Sequence, residues 1–213
     1  MSEKTYGVML KAEMIRAYIK GQKSQTRRLN GLGEINQNPD QWDSMVPQKE
    51  GHVSFRHKTT DDIRNVRLPY GGRDCTIYFK ETYRMWERDE DGKDFILFRA
   101  DNAKVDPVWW SREDWDLIHH GWFEKWQSAM FMPKRFARFH DLRILNFRVE
   151  RLQDITESDA QAEGVEQSCG LLKGDYPNYR SSYRLLWDAI NGKRFPWSHN
   201  PWLFVYEFEK TAQ

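Results

Sequence analysis

Lys20-Gly21-Gln22-Lys23-Ser24-Gln25-Thr26-Arg27-Arg28 is the stretch from which the rest of the chain can be ordered. Just before it, residues 11–20 put Met14, Ile15, Tyr18 and Ile19 on one face at helical spacing. Gly21 stands where a helix stops in the left-handed conformation that glycine adopts without steric cost. Residues 6–10 suit a strand ahead of that helix, so strand, short helix, glycine turn and basic segment come in quick succession. The segment mixes unlike chemistries: Lys23 is a candidate base, Ser24 and Thr26 carry hydroxyls, and Arg27 and Arg28 carry fixed positive charge. On charge alone it is a basic turn.

Residues 76–83 (TIYFKETY) alternate Ile77, Phe79 and Tyr83 with polar residues, and Glu81 stands on the inward face, where a carboxylate needs a partner. Residues 143–152 alternate as a half-buried strand, with Leu145, Phe147 and Val149 on one side and Asn146, Arg148 and Glu150 on the other. Thr156, followed three residues later by Asp159, resembles a capping box for a helix of one to two turns that Gly164 ends. Tyr183, Leu186, Trp187 and Ile190 keep helical spacing up to Asn191-Gly192. After Pro201, residues 202–208 place Trp202, Phe204, Tyr206 and Phe208 on one face and Leu203, Val205 and Glu207 on the other, a strongly specified closing strand.

Several short strands with two or three short helices predict an α+β fold around a small, strongly bent sheet or barrel. Residues 30–74, rich in Gly, Asn, Asp and Gln, and residues 86–132 suit that sheet poorly. They are expected as two large insertions into a single domain spanning 1–213.

Composition bounds the function. The 213 residues are 31% charged and 39% hydrophobic, yet 15% aromatic with ten Trp, which excludes a disordered chain. No apolar run approaches the roughly 18–20 residues of a membrane span, and the N-terminus lacks the apolar stretch of a signal peptide, so no membrane partner and a cytoplasmic location are expected. Cys75 and Cys169 show no metal-ligand spacing and read as reduced thiols. With 33 Lys and Arg against 32 Asp and Glu, the net charge of +1 gives no whole-molecule argument for nucleic acid. The charge is segregated, however. Residues 11–28 hold six basic side chains against Glu13 alone, and residues 134–151 hold six against Asp141 and Glu150, whereas residues 86–126 hold eleven acids and six Trp.

Phosphate-binding GxxxxGK[ST], GxGxxG, HExxH and GxSxG motifs are all absent, which removes the common nucleotide, zincin and serine-hydrolase readings. The adjacent His119 and His120 cannot both face one metal from regular structure, so no metal site and no cofactor are expected. The Trp cluster (Trp109, Trp110, Trp115, Trp122, Trp126) has the stacking chemistry of single-strand binders, but its acidic neighbours repel a phosphate backbone and favour a structural role.

The segment Gly21-Gln22-Lys23-Ser24-Gln25-Thr26-Arg27-Arg28 resembles the G-x-K-[ST]-x-T-x-R signature of the ASCH family, a branch of the PUA-like superfamily. TIYFKETY resembles that family's strand ending in E-T-[WY]. Residues 148–164 resemble its V-x-x-[IL]-x-x-[IL]-T-x-x-x-A-x-x-E-G segment, and residues 201–208 its W-x-x-x-F terminal strand. Residues 143–164, Leu186 to Asn191 (LWDAIN) and Asn200-Pro201-Trp202 look closest to the longer ASCH-like proteins of bacteriophages and prophages. The resemblance implies a small bent β-barrel with a cleft beside the helix and glycine turn, and binding of RNA or a nucleoside there. Some members hydrolyse the N4-acetyl amide of acetylcytidine with a lysine and a threonine of the signature and a glutamate of the later short helix, roles that fall here on Lys23, Thr26 and Glu163. The two long insertions are absent from the compact amidohydrolases.

The trio is chemically coherent. Thr26 Oγ1 can attack an amide carbonyl if Lys23 accepts its proton, Glu163 can protonate the leaving nitrogen, and Arg28 or backbone N–H groups can stabilise the oxyanion. Ser24, Arg27, Arg28 and Glu81 are the expected substrate-binding side chains. Because a regular strand would hold Lys23 and Thr26 about 10 Å apart on opposite faces, a turn at Ser24-Gln25 is expected. The competing expectation is a non-catalytic module in which the acidic, Trp-rich insertion binds a phage or host protein.

Overall fold

The computed structural model describes residues 4–45, 51–86, 95–105, 125–167 and 178–210. They form an α+β fold built mostly of sheet, with three α-helices. The strands are β1 (Thr5–Met9), β2 (Gln25–Arg28), β3 (Trp42–Ser44), β4 (His52–His57), β5 (Ile63–Arg67), β6 (Thr76–Lys80), β7 (Tyr83–Trp86), β8 (Phe95–Phe98), β9 (Lys104–Val105), β10 (Leu142–Arg151) and β11 (Trp202–Lys210). The helices are α1 (Ala12–Ile19), α2 (Glu157–Ala162) and α3 (Tyr179–Asn191). Among the described residues no helix is long and apolar enough to cross a membrane.

The central sheet has the order β1-β6-β10-β11-β2, with β1 parallel to β6 and the other pairs antiparallel. Its ladder does not close among the described residues. The two edge strands nonetheless come within reach of one side chain, since Arg28 Nη2 on β2 donates to the carbonyl of Met9 at the end of β1 (3.0 Å).

The closing strand is buried on both faces, which its alternation only half foretells. Phe204, Tyr206 and Phe208 enter the main core with Val8, Ile15, Ile77 and Phe79, while Leu203 enters a second cluster with Ile155, Tyr183, Trp187 and Trp197 under α2 and α3. A strand sandwiched in this way has no solvated face to lose, and at about 25 cal/mol per Å² of apolar surface it is a main source of stability.

Two expected faces shift. In β10 the register slips between Ile144 and Asn146, a bulge at Leu145 that leaves this leucine 40% exposed and puts the fully buried Ile144 in the core instead. One extra residue reverses the inside and outside of everything before it, so simple alternation misassigned Leu145. In α1, Ile15 is buried and Met14 and Tyr18 pack against the core, but Ile19 at the last position is 47% exposed. The predicted strand 76–83 also divides. β6 ends at Lys80, and Tyr83 starts β7 in a separate sheet, β7-β8-β9, which packs with Met132 and Phe136 in its own cluster.

The described part of residues 30–74 contains the antiparallel sheet β3-β4-β5, and Leu32, Ile35, Trp42, Val53, Phe55 and Leu68 belong to the same main core as the central sheet. This stretch builds the core rather than decorating it. Of the Trp-rich cluster only Trp126 lies within the described residues, where its ring faces the guanidinium groups of Arg84 (5.0 Å) and Arg99 (5.7 Å). Trp109, Trp110, Trp115 and Trp122, His119 and His120, and Cys169 lie outside them.

Candidate functional site

The helix α1 stops as its sequence predicts. Gly21 takes φ 73°, and the N–H groups of Gly21 and Gln22 donate to the carbonyls of Tyr18 and Ala17 (both 2.9 Å). The chain then runs extended: Lys23 bridges Glu163, Ser24 O accepts from Phe208 N–H (3.0 Å), and β2 pairs with β11 from Gln25 onward. The turn expected at Ser24-Gln25 is therefore not made. Instead the Lys23 side chain reaches forward along the strand to the carbonyl of Gln25, and both it and Thr26 line one cleft.

Glu163 arrives from the other direction. Thr156 caps α2 through the expected capping box with Asp159, and Glu163 and Gly164 follow its last turn. Gly164 has φ 87°, and a Cβ there would lie 2.7 Å from Ala17 Cβ and 3.0 Å from Lys23 Cβ. Both the backbone conformation and the space demand glycine, and the close approach is what brings α2 against α1 and Lys23.

Lys23 and Glu163 are buried together at 3.0 Å. The Lys23 ammonium donates to Gln25 O (2.7 Å), Glu163 O (2.9 Å) and Glu163 Oε2 (3.0 Å), which uses its three N–H bonds. Burial pushes the Lys23 pKa below its ordinary value, and the Glu163 carboxylate opposes that shift. The other Glu163 oxygen accepts from Arg27 Nη1 (3.0 Å).

Arg27 is the hub of a wider network. It donates to Glu150 through Nε (3.1 Å) and Nη2 (2.6 Å) and to Gln25 Oε1 through Nη1 (2.6 Å), and its guanidinium lies 5.8 Å from the Tyr183 ring centroid. Arg148 continues the network from β10 to Glu150 and Asp159 (both 2.8 Å). Burial alone would raise the Asp159 carboxyl, but hydrogen bonds from Gln25 and Thr156 and the charges of Arg148 and Arg27 outweigh it and hold the pKa at about 2.

The cleft above this network has a volume of about 440 Å³, in the range of small-molecule sites. Its floor is polar, with Lys23, Thr26, Arg28 and Glu163. Its walls are apolar, with Met9 and Met14 from the β1 and α1 side and Leu186 and Ile190 from α3. Among the described residues, three polar groups at the cleft lack hydrogen-bond partners. Arg28 Nε is buried without a hydrogen bond. Neither Thr26 Oγ1 nor the Tyr183 hydroxyl makes one among the described residues, although these residues are only 3% and 5% exposed.

The structure thus brings together Lys23, Thr26, Arg28 and Glu163, with Arg27 bound into the network beneath them. Ser24 and Glu81 stand apart. Ser24 is exposed and lines a separate groove with Gln22 and Gln161. Glu81 is buried as expected of an inward carboxylate with a partner, but that partner is Arg138, which grips both its oxygens at 2.8 Å and reaches Asp101 with its third donor at 2.8 Å.

Sequence reasoning missed Tyr183 as a cleft residue, because on a helical wheel it is one member of an apolar face. The available signal was a phenol rather than a phenyl ring at that position. Among the described residues no group of His, Cys, Asp and Glu could hold a metal ion. Comparison with family models, with curated proteins and with solved structures returned no match in any of the three.

Proposed function

We propose that the chain is an ASCH-type, PUA-like protein whose cleft binds a nucleoside, free or as a unit of RNA, and that hydrolysis of an acylated base is the reaction it is equipped for. The observation carrying this reading is that Lys23 and Glu163, 140 positions apart, form a buried pair opening with Thr26 into one apolar-walled cleft. Apolar walls suit the faces of a planar base and a polar floor suits its edge. The bent PUA-like barrel belongs to the same proposal. Its support is the approach of the two edge strands, spanned by the Arg28 to Met9 hydrogen bond.

In the hydrolytic form of the proposal, Lys23 first gives up one proton and one of its three acceptors, a loss that burial favours. Thr26 Oγ1, which has no competing hydrogen bond, then attacks the acyl carbonyl as its proton passes to the Lys23 amine. Collapse of the tetrahedral adduct breaks the C–N bond and leaves an acyl-Thr26 ester and the free exocyclic amine, which water completes by hydrolysis. Both Glu163 oxygens already accept hydrogen bonds from cations, so the geometry favours Lys23 as the carrier of the proton to the leaving nitrogen and Glu163 as the group that holds Lys23 in place.

The test is release of free nucleoside from a panel of N-acylated nucleosides, followed by chromatography, alongside calorimetric binding of nucleosides and short RNA. Turnover abolished by Thr26→Ala in a folded protein supports the hydrolytic form. Binding without turnover reduces the proposal to a reader, and neither binding nor turnover defeats it. A protein-docking role for the acidic Trp-rich stretch rests mostly on residues outside those described; within them, Asp101 is held by Arg138 and Trp126 faces Arg84 and Arg99.

A further inference from the structure

We propose that Tyr183 is a ligand-contacting residue that selects for a carbonyl oxygen on the bound molecule. This deepens the reading of the cleft as a nucleoside site and rests on it. Tyr183 sits in the first half of α3, 5% exposed, with its ring against the Arg27 guanidinium at 5.8 Å and Trp187 at 6.3 Å. Those contacts explain an aromatic ring, and phenylalanine would make them as well. They do not explain the hydroxyl, which has no hydrogen-bond partner among the described residues. Tyr183 lines the cleft and its hydroxyl is not among the fully buried atoms without a partner, so it is a donor open to the cleft that a ligand filling the cleft must either satisfy or leave unpaired.

The kind of partner follows from the groups around it. Burial first, and then the charge of Glu163, keep the Tyr183 phenol protonated far above its ordinary range, so it offers an O–H donor at any physiological pH. Arg28 also lines the cleft, and its Nε is a second unused donor, buried just beneath the cleft surface. Two idle donors suit a molecule rich in acceptors. Glu163, whose two oxygens each take one cation and keep a further lone pair, supplies an acceptor for an N–H on that molecule. Donors and an acceptor on one floor match a planar heterocycle that presents a ring carbonyl and an N–H on one edge.

The deciding experiment compares the wild type with Tyr183→Phe in calorimetric titrations of uridine and cytidine, which carry a ring carbonyl, and of adenosine, which carries none. The substitution keeps the ring contacts and removes only the hydroxyl. The expected result is a loss of about 5- to 10-fold in affinity for uridine and cytidine, the size of one hydrogen bond, with adenosine weaker than either in the wild type and unaffected by the change. Thermal unfolding of the ligand-free variant should be unchanged or raised, because a group without a partner has been deleted. Undiminished affinity for uridine and cytidine, an equal loss for adenosine, or a clear fall in thermal stability would each overturn the proposal while leaving the cleft reading intact. If the wild type binds none of the three, the cleft reading falls and this proposal with it. A check that needs no variant is the NMR resonance of Tyr183 in protein labelled at tyrosine Cζ, which should move on addition of uridine and stay in place if the hydroxyl makes no contact.

Discussion

Two buried ion networks anchor this molecule, and they differ in whether anything is left over. Around Arg138 the arrangement is closed: the guanidinium takes both oxygens of Glu81 and one of Asp101, with the rings of Phe98 and Phe139 at 4.5 and 4.8 Å. Around Arg27 it is open: Lys23 and Glu163 are paired at the floor of a cleft where, among the described residues, Thr26 Oγ1, the Tyr183 hydroxyl and Arg28 Nε have no hydrogen-bond partners. A buried charge by itself therefore does not mark a site. Glu81 and Glu163 look alike as inward carboxylates, and only the unsatisfied neighbours of one of them point to a ligand.

The largest expected effects come from breaking each hub. Arg27→Met removes one of the two cations that hold each of Glu150, Asp159 and Glu163, leaving only Arg148 and Lys23 to them, and should cost about 3–5 kcal/mol, or prevent folding. Arg138→Met strands only Glu81 in a dry position, since the Asp101 side chain is 30% exposed, and should fall at the lower end of that range. Urea denaturation at neutral pH measures both, and a larger loss for Arg138→Met would reverse this ranking.

Replacing whole pairs separates stability from function. Glu81→Met with Arg138→Met, and Lys23→Met with Glu163→Met, remove both partners of an ion pair, and each double variant should lie within about 1–2 kcal/mol of the wild type. Only the second should lose nucleoside binding in a calorimetric titration. Loss of binding in the Glu81 and Arg138 double variant would return Glu81 to the ligand site.

What the sequence displays depends on how locally each feature is encoded. The glycine stop at Gly21, the capping box of Thr156 and Asp159 and the alternation of β11 are written within a few residues of one another, and the structure follows them. The bulge at Leu145 is a register between two strands, and the break after Lys80 is a change of sheet, so neither leaves a mark in the periodicity of its own segment. The core role of residues 30–74 was hidden for a related reason: their apolar residues are sparse, and long-range packing gathers them with β1, β6 and β11. Arg27 and Arg28 are neighbours of one type in the chain, yet strand alternation sends one into a carboxylate cage and the other to the lining of the cleft.

The two networks should also answer acid in opposite senses. Asp159 has its pKa depressed to about 2, so the stability it contributes is present above the unfolded value of 3.8 and is lost as pH falls from there toward 2. The loss should be on the order of 1 kcal/mol after solvent screening, and absent in Asp159→Asn. Burial raises Glu81 above 4.5 despite the opposing pull of Arg138, so its contribution is present below 4.5 and disappears as pH rises through the elevated value. Stability profiles of the wild type, Asp159→Asn and Glu81→Gln between pH 2 and 7 show whether the open network weakens in acid where the closed one gains.

The smallest effect on stability should come from the residue with the largest proposed role. Thr26 is 3% exposed on β2, between Gln25 and Arg27, and its hydroxyl makes no hydrogen bond among the described residues. Thr26→Val keeps the β-branched shape that suits a strand and removes only that hydroxyl, so nothing in the fold loses a partner. The unfolding free energy should change by no more than about 0.5 kcal/mol, and the buried site gives it room to rise rather than fall. Release of nucleoside from an acylated base should disappear entirely, because no other hydroxyl replaces Oγ1, and Thr26→Ser should restore part of it. A fall in stability of 1–2 kcal/mol in Thr26→Val would instead reveal a structural partner for the hydroxyl, and the floor of the cleft would then resemble the closed network around Arg138.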